Sequence, residues 1–148
     1  MNFLSGERVE FVIPGEARGK QRPRATKKGR VYTPSETRNA EAFIKLLATH
    51  AMNGRAPFEG PVRLYVEIDV PVPKSFSKKK RDAALGYAIT PTSKPDLDNV
   101  IKLQSDAMNG VVYQDDKQII QIVAAKRYSE IAQTRVIVEG KPTLPPEG

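Results

Sequence analysis

Five aspartates stand between residues 96 and 116: two in Lys94-Pro95-Asp96-Leu97-Asp98-Asn99-Val100-Ile101-Lys102, then Asp106, then Asp115-Asp116-Lys117. Carboxylates at that density repel one another unless a cation sits between them. An oxygen-only set suits a hard divalent ion such as Mg²⁺, completed by water and a substrate phosphate. Metal-assisted phosphodiester hydrolysis needs a metal to activate water, a metal to stabilise the leaving oxygen and a cation for the developing charge, a part that suits Lys102. It needs neither imidazole nor thiol. The 148-residue chain has one His and no Cys. Disulfide scaffolds, thiolate zinc sites, thiol catalysis and any chemistry requiring two imidazoles are therefore excluded.

The same residues also have a plain structural reading. Asp96 stands where a helix N-cap belongs, and Asp98 with Lys102 at i, i+4 makes a surface ion pair worth about 0.2–0.5 kcal/mol. Asp115 and Asp116 would be turn residues. Pro95-Asp96 followed by Asp115-x-Lys117 also fits the loose motif of restriction nucleases. Those motifs sit on paired strands, however, whereas Asp96 opens an amphipathic helix. Two rival functions follow: a restriction-type metal-dependent nuclease acting on linear duplex, and a non-catalytic DNA-binding protein whose acids are caps and turns.

Charge sharpens the choice. The net charge is +7, which suggests a polyanionic partner. Residues 1–34 hold eight basic and three acidic groups, residues 61–90 six and three, and residues 91–148 seven and eight. A basic front half thus precedes a back half that holds the aspartate cluster. Lys20, Arg22, Arg24, Lys27, Lys28, Arg30 and, nearer the acids, Lys94 are the candidate phosphate contacts.

The elements that must position these groups can be read from periodicity. Residues 8–13 alternate and stop at Pro14-Gly15, predicting a strand. Residues 15–34 read as an exposed basic loop with a short strand or hairpin arm at 30–33. Residues 35–52 have helical spacing (Ala40, Phe43, Ile44, Leu47, Ala51) and end at Gly54; His50 near their end is a structural residue. Val62, Leu64, Val66, Ile68 and Val70 mark the cleanest strand, closed by Pro71 and Pro73. Residues 77–85 predict a short basic helix capped by Ser77 and ended by Gly86. In residues 96–109, Leu97, Val100, Ile101, Leu103, Ala107 and Met108 share one arc, while Asp98, Lys102, Ser105 and Asp106 share the other. Residues 118–127 and 134–138 read as two strands forming an antiparallel pair. The expected fold class is α+β: a single small domain over 1–140, with a mixed sheet of about four strands and about three helices. Residues 141–148 form a Pro-rich tail. No apolar run approaches the roughly 18 residues of a membrane span, and the N-terminus lacks a signal-peptide pattern, so a cytoplasmic location is expected.

The motifs resemble the RusA-type Holliday junction resolvases, small phage- and prophage-associated endodeoxyribonucleases. The resemblance rests on Asp96-Leu97-Asp98-Asn99-Val100-Ile101-Lys102, Asp106-Ala107-Met108-Asn109-Gly110 and Tyr113-Gln114-Asp115-Asp116-Lys117-Gln118-Ile119. Further motifs are Ile13-Pro14-Gly15, Gly19-Lys20-Gln21-Arg22-Pro23-Arg24 and Gly29-Arg30-Val31-Tyr32-Thr33-Pro34. It implies a small α+β homodimer that cuts two opposed strands of a four-way DNA junction with Mg²⁺ or Mn²⁺, in recombination and repair. By position, Asp96, Asp98 and Asp116 match the essential carboxylates, Asp115 is the fourth acid of the metal cluster, and Lys102 matches the essential lysine. Tyr32 and Tyr113 are candidates to stack on a base exposed at the branch point.

Overall fold

The computed structural model describes residues 6–21, 23–32 and 35–141. Its centre is a four-stranded sheet in the order β1-β6-β4-β5, formed by β1 (Glu7–Pro14), β4 (Glu59–Pro71), β5 (Ile119–Ser129) and β6 (Gln133–Lys141). Two-residue strands β2 (Arg24–Ala25) and β3 (Val31–Tyr32) make a separate small ribbon. The helices are α1 (Ser35–Met52), α2 (Lys78–Leu85) and α3 (Leu97–Ala107), and a 3₁₀ turn, Asp116–Gln118, leads into β5. The chain is an α+β single domain, as its periodicities predict.

Alternation in β4 decides which face is covered. Val62, Leu64, Val66 and Ile68 are at most 1% exposed. They join Val9 and Phe11 of β1, Val136 and Val138 of β6, Ile44, Ala48 and Met52 of α1, and Val100, Leu103 and Ala107 of α3 in one apolar core. The opposite face of the sheet is polar. There Arg135 reaches Glu10 at 3.4 Å and Glu67 at 3.8 Å, and Arg127 reaches Glu67 at 3.6 Å and the buried Asp69 at 2.8 Å. Helices on one side and an ionic ladder on the other give a two-layer architecture. A second, smaller cluster of Val72, Ala84 and Tyr128 seats α2.

Connectivity corrects one expectation. β5 and β6 are consecutive and antiparallel in direction, but they are not neighbours. β5 pairs in parallel with β4, and β6 lies between β4 and β1, antiparallel to both. Parallel neighbours need a long crossover, and here that crossover carries α2, α3 and the Asp115-Asp116 turn. The aspartate motifs and Lys102 therefore ride on the connection between two adjacent strands.

Candidate active site

Helix α3 supplies the first group. Asp96 occupies the N-cap position with an extended backbone (φ −69°, ψ 127°), yet its side chain caps no backbone N–H. The plain capping reading thus holds for the position and fails for the carboxylate, whose contact is the Asn99 amide at 3.5 Å. Asp96 and Asp98 are exposed, at the end of the helix where partial positive charge favours carboxylates. Lys126 on β5 donates to the Ser93 and Pro95 carbonyls at 2.8 and 3.1 Å, fixing the segment that delivers Asp96.

In the last turn of α3, Asp106 gathers two ammonium groups. Lys102 Nζ lies 3.5 Å from Asp106 Oδ1, and Lys20 Nζ lies 2.6 Å from Oδ2. Within 4 Å, Lys102 pairs with Asp106 and not with Asp98, so the ion pair expected toward the helix start forms toward its end. Lys20 also meets Glu41 of α1 at 3.4 Å. Its approach depends on Gly19, where a Cβ would stand 2.8 Å from the Asn99 Cβ. With hydrogen there instead, the Lys20 amide donates to the Asn99 carbonyl at 3.0 Å.

The Asp115-Asp116 turn is held by its neighbours. Asp115 accepts from the Lys117 amide at 2.9 Å, while Gln118 Oε1 accepts from the Gln114 and Asp115 amides at 2.9 and 3.1 Å. This is a reciprocal capping box. Gln118 Nε2 then donates to the Phe58 and Gly60 carbonyls, both at 2.9 Å, bolting the turn to the start of β4. Underneath, the fully buried Tyr113 donates from its hydroxyl to the Ser105 carbonyl at 2.7 Å. That bond joins the turn region to the stretch of α3 that carries Asp106. Burial pushes the Tyr113 hydroxyl up, out of the titratable range, with Asp116 adding to the effect.

Asp116 and Asp106 interact across the two elements. Burial and a hydrogen bond to Asp106 push the Asp116 carboxyl up, and the Asp115 charge adds to this. Burial opposes ionisation of Asp106 too, but Lys20 and Lys102 outweigh it and hold that carboxyl below the ordinary range. The site thus contains an ionised aspartate, a second carboxyl that resists ionisation beside it, and two ammonium groups.

A profile of the family described as endodeoxyribonuclease RusA matches residues 14–139. That span covers the basic arm, α3, the acidic turn and the whole of β5.

The chain belongs to the RusA endodeoxyribonuclease family.

It is also 33% identical over 135 residues to an uncharacterized protein of Bacillus subtilis (strain 168), YqaN, with 88% of this chain and 94% of that one covered. RusA-family nucleases act on branched DNA junctions and generally depend on divalent metal.

In this RusA-family chain, no three carboxylates among the described residues converge into a preformed metal cage. The donor set nevertheless fits a hard cation. Mg²⁺ commonly binds through one or two carboxylates and completes its octahedron with water and substrate phosphates, and the strained Asp116–Asp106 pair is relieved by positive charge. Among the residues expected from sequence, Asp116 and Lys102 meet around Asp106. Asp115 stands beside them with one oxygen committed to its cap, and Asp96 and Asp98 lie at the opposite, N-terminal end of α3. Of the expected phosphate contacts, Lys27, Lys28, Arg30 and Lys94 are exposed, while Lys20 is engaged at the acidic site. Arg22 and the side chains of Arg24 and Tyr32 lie outside the described residues. Tyr113 is 0% exposed and does not stack on a base. His50 is exposed, as a structural reading allows.

Sequence reasoning did not assign roles to Asp106, Gln118 or Lys126. For Asp106 a signal existed, since it stands four residues after Lys102 on the same face. Its contact with Lys20, 86 positions away, has no local signature.

Proposed function

We propose that this chain is a Mg²⁺-dependent endodeoxyribonuclease, with Mn²⁺ as a substitute, that resolves four-way DNA junctions by paired phosphodiester hydrolysis in recombination and repair. The observation carrying this reading is the meeting of Asp116 with Asp106, Lys102 and Lys20, four groups from three separate stretches of chain. Asp96, Asp98 and Asp116, with Asp115 assisting, are the proposed cation-holding carboxylates. The family motifs carry that assignment, since Asp96 and Asp98 stand at the other end of α3 from Asp106 and its neighbour Asp116. A divalent cation held there would supply Lewis-acid charge at the scissile phosphate and lower the pKa of water.

The chain's own groups do the rest. Lys102 faces the charge that develops on the phosphate, and Asp106 keeps its ammonium aimed. Lys27, Lys28 and Arg30, on the tip between β2 and β3, bind backbone phosphates, as does Lys94 beside Asp96. Such contacts make affinity fall steeply with salt.

Cutting two opposed strands calls for two sites and so for a two-fold dimer. The edge strand β5 supports that reading. Ile120, Ile122 and Val123 are 56%, 47% and 50% exposed there, and residues 118–125 carry no charge. An uncharged open edge of this kind pairs readily with a second copy. The described residues include no helix long and apolar enough to cross a membrane, and the proposed setting is the cytoplasm, with prophage-type DNA metabolism.

The test is cleavage of a labelled four-way junction beside linear duplex and single strand, with and without Mg²⁺. Asp98→Asn is expected to keep junction binding and abolish cutting. Parental rates in that variant would remove Asp98 from the site. Equal cutting of linear duplex would favour a restriction-type nuclease, and junction binding without any cutting a non-catalytic binding protein.

A further inference from the structure

At the N-terminal end of α3, lined by Asp96 and Asn99, lies a cavity of about 690 Å³. It sits where four segments meet: the connection after β1, the start of α1, the end of β4 with the residues beyond it, and the stretch that delivers Asp96. From this cavity we infer a recognition site for a single unpaired nucleobase of the DNA, the one flanking the scissile phosphate. The inference rests on the junction-cleaving reading above and adds the substrate element that the enzyme reads.

The lining argues for a base and against a phosphate alone. Ala17, Pro71 and Pro73 contribute apolar walls, and a backbone phosphate gains nothing from such surface. A nucleobase does, since its faces are flat and poorly hydrated, and extruded bases are held between apolar or aromatic side chains. Its edge needs polar partners, and Gln21 and Asn99, both with amide side chains, line the same cavity. Gln21 is held in place by Thr37, whose hydroxyl donates to Gln21 Oε1 at 3.2 Å and accepts from the Gln21 backbone N–H at 3.4 Å. The Gln21 side-chain NH₂ is thereby left to donate to a ligand. Four acids, Glu16, Glu36, Asp69 and Asp96, line the cavity beside Arg18, Lys74 and Lys94. Arg18 pairs with Glu36 at 3.7 Å, so Lys74 and Lys94 are the groups that suit the phosphates on either side of an inserted nucleotide. The volume falls within the range of ordinary ligand sites, roughly 300–1,000 Å³.

Location decides which base. Asp96 lines the cavity and is also a proposed cation-holding carboxylate. A base seated here belongs to a nucleotide adjoining the bond that is cut. Base pairs flanking a branch point lose stacking continuity where strands exchange, and extrusion costs least there. Sequence preference in cleavage would thus be read by Gln21 and Asn99 and not by the phosphate-binding arm.

The experiment places 2-aminopurine at successive positions flanking the branch point of a four-way junction. Its fluorescence is read on titration with full-length protein, with Ca²⁺ in place of Mg²⁺ to hold the complex uncut. Binding to the parent is expected to raise the emission several-fold at one position next to the cut site. Pro73→Trp, at an exposed position on the cavity wall, is expected to abolish that rise while leaving the salt dependence of binding unchanged. Gln21→Ala serves if Pro73→Trp folds poorly by circular dichroism. It should keep the rise and lower the ratio of preferred to non-preferred cleavage sequences at least tenfold.

The inference is overturned if the parent binds the junction and no flanking position brightens, or if Pro73→Trp brightens like the parent. It also fails if Gln21→Ala keeps the parental sequence preference. Absence of preferential junction binding by the parent would sink the junction-cleaving reading itself, and shows at the binding step before any fluorescence is read.

Discussion

The ammonium of Lys20 and the carboxylate of Asp106 meet at 2.6 Å, joining the connection after β1 to the last turn of α3. Asp106 is the better shielded partner, with 16% of its side chain exposed against 29% for Lys20. The Lys20 hydrogen bond raises the lysine pKa despite partial burial. The bond is therefore formed between charged groups over the whole neutral range. It anchors the basic arm against the face that carries Lys102.

Removal of that anchor is expected to loosen the arm without unfolding the domain. Lys20→Ala should destabilise the protein by about 1 kcal/mol, below the full value of a charged hydrogen bond because both partners keep some solvent. A denaturant double-mutant cycle with Asp106→Asn should return a coupling of similar size. A coupling near zero would mean the contact is incidental.

Opposite pH signatures are expected for the two acidic partners. Asp106 has a lowered pKa in the folded state, so its contribution is present above the ordinary carboxylate pKa and is lost as pH falls through the folded value. Asp116 has a raised pKa, so the folded state holds that proton longer and stability declines as pH climbs through the window above the ordinary value. Urea unfolding between pH 3 and 8 should show Asp106→Asn destabilising at neutral pH and Asp116→Asn stabilising in the absence of divalent ions. Added Mg²⁺ should stabilise the parent and not Asp116→Asn.

Lys102 is expected to act on chemistry more than on binding. Lys102→Ala should lower single-turnover cutting of a four-way junction by about 10²–10³-fold, the scale for loss of one group that stabilises developing charge. Junction affinity should change by only a few-fold. A large affinity loss with an unchanged cleavage step would move Lys102 to the phosphate-binding set.

The arm tip should contribute electrostatically. Replacing Lys27, Lys28 and Arg30 together with Ala is expected to reduce the slope of log K against log salt by about 2–3 units, since each neutralised phosphate accounts for roughly 0.9. Electrophoretic mobility shifts at several salt concentrations give that slope directly. An unchanged slope would show that the tip does not touch DNA.

Dimerisation through β5 predicts that a charge on the open edge separates the copies. Ile122→Glu should shift the protein from dimer to monomer in sedimentation velocity, and should uncouple the two incisions so that nicked junctions accumulate. A dimer that survives Ile122→Glu together with Val123→Glu would place the interface elsewhere.

Much of the fold was legible because β4 and α3 carry clean periodicities, period two in one and an apolar arc in the other. Ser77 and Gly86 bound α2 as expected, Ser77 accepting from the Lys80 amide at 3.2 Å. The β5–β6 relationship was not legible. Short polar turns between strands suggest hairpins, and nothing local reveals that β6 enters between β1 and β4. The burial of Tyr113 was hidden for a similar reason, since a Tyr beside an acidic turn looks exposed until the core beneath it is assembled.

What the sequence by itself determined is the chemistry: carboxylates and lysines without thiols or paired imidazoles, the family motifs, and the elements whose repeating apolar positions must be buried. Only the tertiary structure decided which charges meet. The parallel pairing of β4 with β5 sends the chain over one face of the sheet and returns it with Asp116 beside α3. The close approach permitted by Gly19 then brings Lys20 to Asp106. Periodicity is a property of neighbours along the chain, whereas an ion pair across 86 residues depends on how the core packs.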